Sequence, residues 1–206
     1  FDKPKPDRDF VIAEQLRFSD TPSFRSALSA DMRSKRNKTG EAVIFVHGFN
    51  NSFSDTAFRI AQLAQDLELP GSLVTYSWPS RGHPLGYEYD SDSSLFARDG
   101  LQELMETVKA SGAKRMVLVA HSMGGRVLME TLRQIELKTP GWTARNLSGV
   151  VLISPDVNAD VFLSQINAFQ KLPEPFVVFT SQRDILLRLS SGLRWEDQRL
   201  GTIDDI

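Results

Sequence analysis

Apolar and polar positions follow two alternating rhythms along this chain. Short, mainly apolar runs occupy 42–46, 73–76, 116–120, 150–153 and 176–180. Each is four or five residues long and rich in Val, Ile, Leu or Phe. Runs of that kind suit strands of a parallel sheet buried on both faces. Between them the period becomes helical. In 56–67, Phe58, Ile60, Ala61, Leu63, Ala64 and Leu67 share one face. The stretch 94–111 repeats this with Leu95, Leu101, Leu104, Met105 and Val108, and Gly112 is a natural stop. The stretch 123–137 carries Val127, Leu128, Leu132 and Ile135, and 160–169 is a shorter case. Strands alternating with helices predict crossover units, hence an α/β fold with a mostly parallel sheet and helices on both faces. Residues 1–9 read as a flexible arm, 31–41 as a polar linker, and 140–146 and 171–175 as loops.

Length and charge narrow the classes. At 206 residues the chain is expected to be one domain, 1–206. Lys+Arg number 24 and Asp+Glu 26, a formal net charge of −2, which argues against a nucleic-acid partner. No stretch approaches the apolar length of a membrane span, so no integral membrane segment is expected. The absence of cysteine removes disulfides, thiolate metal sites and a cysteine nucleophile. Three histidines, His47, His83 and His121, leave little for a metal cluster. Neither a metal nor an organic cofactor is expected.

The segment 116–125, MVLVAHSMGG, carries the most chemistry. A buried strand runs into Ala-His-Ser-Met-Gly and a helix follows at once. A serine there sits on a sharp, strained turn with its hydroxyl above the sheet. Strand and helix then pass close together, so small residues are needed two before and two after the serine. Ala120 and Gly124 fill those places. The positive end of the helix favours an oxyanion nearby, and the Met123 N–H is the natural first donor. The plainer role for Ser122 is an ordinary N-cap. Upstream, 43–50 reads VIFVHGFN, a strand ending in His-Gly-Phe. Gly48 lets the backbone come close, and the Phe49 N–H is the candidate second donor of an oxyanion hole. His47 reads as a loop organiser rather than a proton shuttle.

Two aspartates follow strands near the expected site: Asp156 after 150–153 and Asp184 after 176–180. Either could orient a histidine base. Asp184 is preferred, with an Asx-type backbone bond as the alternative role of Asp156. The base should follow the acid in chain order, but no histidine occurs after His121. It is expected beyond Ile206, with the domain continuing there. His83 substitutes only if its loop folds over the serine, and His121 should point away from it. In the loop 78–90, Trp78, Tyr87, Tyr89 and Arg81 could line an acyl or alcohol pocket. Alternatively, Trp78 caps the sheet edge and Arg81 pairs with Asp90 or Asp92.

Together FVHGFNNSF (45–53), YSWPSRG (76–82), YEYD (87–90), AHSMGGRVL (120–128), SPDVNADVF (154–162) and SQRDILLRLS (181–190) resemble a bacterial branch of the alpha/beta-hydrolase superfamily, described as esterases or lipases of unassigned substrate. The resemblance spans about residues 42–200. It implies that fold, with Ser122 as nucleophile, Phe49 and Met123 as oxyanion donors, Asp184 as acid and a histidine after the last strand. The expected activity is hydrolysis of a small-molecule or lipid ester through an acyl-enzyme. The alternatives are another acyl-transfer enzyme (amidase, thioesterase or acyltransferase) or a binding module with an incomplete triad.

Overall fold

The computed structural model describes residues 11–180 apart from 13, 67, 70 and 82. Five strands, β1 (Glu41–Val46), β2 (Ser72–Tyr76), β3 (Arg115–His121), β4 (Leu147–Ile153) and β5 (Phe176–Phe179), make one sheet in the order β2-β1-β3-β4-β5. Every neighbouring pair is parallel. All five expected strands therefore lie in the expected sheet, and the fold is α/β.

The strands alternate faces. Ala42, Ile44, Val46, Leu118, Ala120 and Leu152 belong to the larger core, and Val43, Phe45 and Val119 to a smaller one. Over the larger face lie α1 (Thr21–Met32), α4 (Arg98–Ala110), α5 (Met123–Lys138) and α7 (Ala159–Ile166), through residues such as Leu28, Leu101, Leu128 and Phe162. Over the smaller face lies α2 (Phe53–Asp66), through Ile60 and Leu63. Phe58, expected on its buried side, is instead 41% exposed. Among the described residues no helix is long and apolar enough to cross a membrane.

Three elements differ from the pattern. α1 falls across the start of the expected linker; Asp20 caps it by accepting the Ser23 N–H at 2.7 Å, and Pro22 sits in its first turn. The single helix expected over 94–111 is two, α3 (Tyr87–Phe96) and α4, parted at Ala97. Tyr76 Oη donates to the Ala97 carbonyl at 2.7 Å, and Gly100 leaves room for that hydroxyl. The expected loop 140–146 contains α6 (Trp142–Asn146), whose start is held by the buried Glu136 carboxylate. Glu136 accepts the Gly141 and Thr143 N–H groups at 2.6 and 2.8 Å.

One glycine sets how closely α5 packs under β1. A Cβ on Gly124 would lie 2.4 Å from the carbonyl oxygens of both Val46 and His47. Those atoms belong to a buried strand end and cannot retreat cheaply. Gly124→Ala is expected to cost about 1–3 kcal/mol in urea unfolding. Gly149→Ala, whose Cβ would meet nothing nearer than 3.5 Å, should cost less than about 1 kcal/mol.

Candidate active site

Sheet order locates the crevice. From β1 the chain turns through α2 to β2, and from β3 it leaves in the other direction through α5 and α6 to β4. Adjacent strands whose connections diverge open a gap at their carboxyl ends. The ends that meet there are Val46–Phe49 and His121–Met123.

Ser122 is the single residue between β3 and α5. Its backbone stands at φ 52°, ψ −124°, a region that costs a non-glycine residue about 1–3 kcal/mol. The surroundings impose it. The Ser122 N–H donates to the Ile153 carbonyl at 2.9 Å, continuing the β3–β4 ladder. The Ser122 carbonyl accepts the N–H groups of Gly125 at 2.9 Å and Asp156 at 3.1 Å. A planar trans peptide then aims the Met123 N–H the opposite way. The hydroxyl makes no capping bond to α5, so the plain N-cap role does not describe it.

The loop after β1 abuts this turn. A Cβ on Gly48 would lie 2.9 Å from Ser122 Cβ, His121 Nδ1 and the His121 carbonyl. Phe49, half-buried, meets Tyr87 edge-on with ring centroids 5.6 Å apart. Asn50 has φ 56°, and the Asn51 carboxamide donates to the Gly48 and Phe49 carbonyls at 3.3 and 2.8 Å. No signal beyond the pair of asparagines after His-Gly-Phe marks Asn51 in the sequence.

His47 anchors that loop to the next. Its ring is stacked on Trp78, centroids 5.1 Å apart and planes 9° from parallel. The Trp78 N–H donates to Nε2 at 3.2 Å, so the proton is on Nδ1, which donates to the Gly48 carbonyl at 2.8 Å. Trp78 Nε1 donates to the His47 carbonyl at 2.7 Å. Both ring nitrogens are engaged, and His47 organises the loop. Trp78, 2% exposed, is a packing residue. Arg81 departs from its expected ion pair: its backbone N–H donates to buried Asp90 at 2.8 Å, while its guanidinium lies 4.6 Å over the Tyr89 ring. His83 is exposed and accepts the Leu85 N–H at 3.2 Å.

Asp156 is 3% exposed and its carboxylate accepts the Tyr87 hydroxyl at 2.6 Å. The Tyr87–Asp156 contact spans 69 positions and has no sequence signature. Asp184 lies outside the described residues. Among the described residues no group of three or more His, Asp or Glu could hold a metal ion. A separate cavity of about 480 Å³ lies at the amino-terminal end of β2, beside Phe24, Asn37 and Ser72.

Burial holds the His47 pKa below its ordinary value, against the opposing pull of the Gly48 carbonyl and the Asp90 charge. The folded state therefore stays neutral where the unfolded chain takes up a proton. Stability is fully present above the unfolded pKa of 6.5 and falls as pH drops through it toward the lower folded value. His47→Gln should be less stable than the parent at pH 7 by about 1–3 kcal/mol. Its urea midpoint should fall less than the parent's between pH 7 and pH 5.

Among solved structures, the chain is similar to a metagenome-derived lipolytic enzyme at 15% identity and TM-score 0.38. That likeness covers 56% of this chain, which spans 42% of the enzyme's length. It is similar to Trichoderma reesei cutinase at 12% identity and TM-score 0.44, over 82% of this chain and 78% of that one. It is also similar to esterase B from Lactobacillus rhamnosis at 14% identity and TM-score 0.44, over 85% and 75%. No curated protein matches. The model of the family "alpha/beta hydrolase of unknown function (DUF900)" matches residues 21–206, and the chain belongs to that family.

Proposed function

We propose that this alpha/beta hydrolase cleaves carboxylic esters of small molecules or lipids through an acyl-enzyme on Ser122. The observation that carries the reading is the Ser122 backbone at φ 52°, on a strand–helix junction where its hydroxyl does not cap the helix. A strained backbone at that point has no structural use that glycine or a capping serine would not serve better.

In this reading Ser122 Oγ attacks the acyl carbonyl carbon while its proton passes to a histidine base, which no position of 122–206 supplies. The carbonyl π electrons move onto oxygen, and the N–H groups of Met123 and Phe49 hold that oxyanion. One such donor is worth about 2.7–4 kcal/mol in the transition state. Collapse expels the alcohol, which takes the proton back from the base, and leaves an ester on Ser122. Water, deprotonated by the same base, then releases the acid. Asp184 orients the histidine. His47 is not the base, because Nε2 accepts from Trp78 and Nδ1 donates to Gly48.

A fluorophosphonate probe tests the nucleophile directly. The parent chain in its full natural context should label, and Ser122→Ala should not. The substitution should leave the melting temperature unchanged or slightly raised, since it keeps size and removes no capping bond. Labelling that survives Ser122→Ala would assign the nucleophile elsewhere. Full labelling without turnover of any p-nitrophenyl ester would redirect the reading to amides, thioesters or acyl transfer.

A further inference from the structure

The Phe49 N–H must hold one direction although it sits on a loop. A peptide is planar and trans, so an N–H points opposite to the carbonyl of the preceding residue. The direction of the Phe49 N–H is therefore set by whatever holds the Gly48 carbonyl. Two side chains do so: His47 through Nδ1 at 2.8 Å and Asn51 through Nδ2 at 3.3 Å. Asn51 Nδ2 also donates to the next carbonyl, that of Phe49, at 2.8 Å. Gly48 itself offers little resistance to rotation, having no Cβ. Its Cβ position is closed by Ser122, so no larger residue could stiffen it. Asn50, at φ 56°, turns the chain back and brings the Asn51 side chain over both carbonyls.

We propose that Asn51 is a positioning residue of the oxyanion loop: its carboxamide clamps the Gly48 and Phe49 carbonyls and keeps the Phe49 N–H turned to the oxyanion. The inference rests on the ester-hydrolase reading of Ser122. Without the clamp the Gly48 carbonyl keeps only the His47 bond and the Phe49 carbonyl loses its Asn51 donor, so the Gly48–Phe49 peptide is freer to turn over. A carbonyl oxygen then faces the developing negative charge where a donor is needed, which penalises the transition state and leaves ground-state binding nearly untouched.

Asn51→Asp is the test, because it keeps the shape and exchanges the two N–H donors for an acceptor. In the full chain, kcat for p-nitrophenyl butyrate should fall about 100-fold. KM should stay within about twofold, and the melting temperature should be nearly unchanged. Asn51→Ala should lie between the two, lacking the clamp but also the repulsion. A purely structural asparagine would lower the melting temperature without separating kcat from KM. Equal kcat in parent and Asn51→Asp would overturn the proposal. Probe labelling of the parent reads the underlying serine chemistry separately. Should Ser122 prove inert, a crystal structure of Asn51→Asp decides alone: a turned-over Gly48–Phe49 peptide supports the clamp, and an unmoved one sinks it.

Discussion

The close approach of two backbones, β1's end against the start of α5, constrains everything else at this site. Gly124 leaves room for the Val46 and His47 carbonyls where a Cβ would come within 2.4 Å of each. Gly48 does the same on the other side, against Ser122 and His121. Because neither contact tolerates a side chain, the loop after β1 and the turn after β3 sit within van der Waals reach. In the proposed reading an N–H from each addresses one small volume. Moving either glycine's backbone outward by a methyl's width would separate the two donors and empty the site of its geometry.

Close packing of this kind buries polar groups, and the segment 77–96 satisfies several of them. Asp90, fully buried, accepts the Ser80 hydroxyl at 2.6 Å and the Arg81 N–H at 2.8 Å. Ser91 accepts from Arg126 of α5 at 2.7 Å, and Tyr87 reaches Asp156. An unpaired carboxylate at either aspartate would cost several kcal/mol. The segment is thus tied to the loop after β1 through Trp78 and Phe49, to α5 through Ser91, and to the loop after β4 through Tyr87. These ties brace the crevice from one side.

What could be read in advance divides along physical lines. The strand interiors 42–46 and 116–120 were legible because a strand buried on both faces is apolar along its length. Ser122 was legible because a strand–turn–helix junction needs small residues at fixed offsets, here Ala120 and Gly124. The helix α6 was not, since its start is held by Glu136, a carboxylate from another helix. The break at Ala97 was invisible for the same reason: the apolar period runs on through it, and hydroxyls from other elements, Tyr76 on the Ala97 carbonyl and Thr131 on that of Arg98, mark the interruption. For Arg81 charge suggests an ion pair with Asp90 or Asp92 as one of two alternatives, whereas its backbone N–H bonds Asp90 and its guanidinium lies over Tyr89. Tyr87 with Asp156, and Asn51 with its two carbonyls, depend on tertiary placement and on side-chain direction, which periodicity does not encode.

The two proposed donors are built by the same device from different materials. At Met123 the preceding carbonyl, that of Ser122, is held by two backbone N–H groups, Gly125 and Asp156. Secondary structure supplies the first and the loop after β4 the second. At Phe49 the preceding carbonyl, that of Gly48, is held by two side chains, His47 and Asn51. A helix start needs no particular side chain to orient its first N–H, because the helix hydrogen bonds do so. A loop has no such ladder, so the orientation must be written in residue types. That asymmetry explains why the two residues flanking Gly-Phe-Asn are polar, one before and one after. It also places the chemical vulnerability of the site on the β1 side. A substitution in α5 must disturb a helix to move Met123, whereas a one-atom change at Asn51 turns one of the two donors on the Gly48 carbonyl into an acceptor.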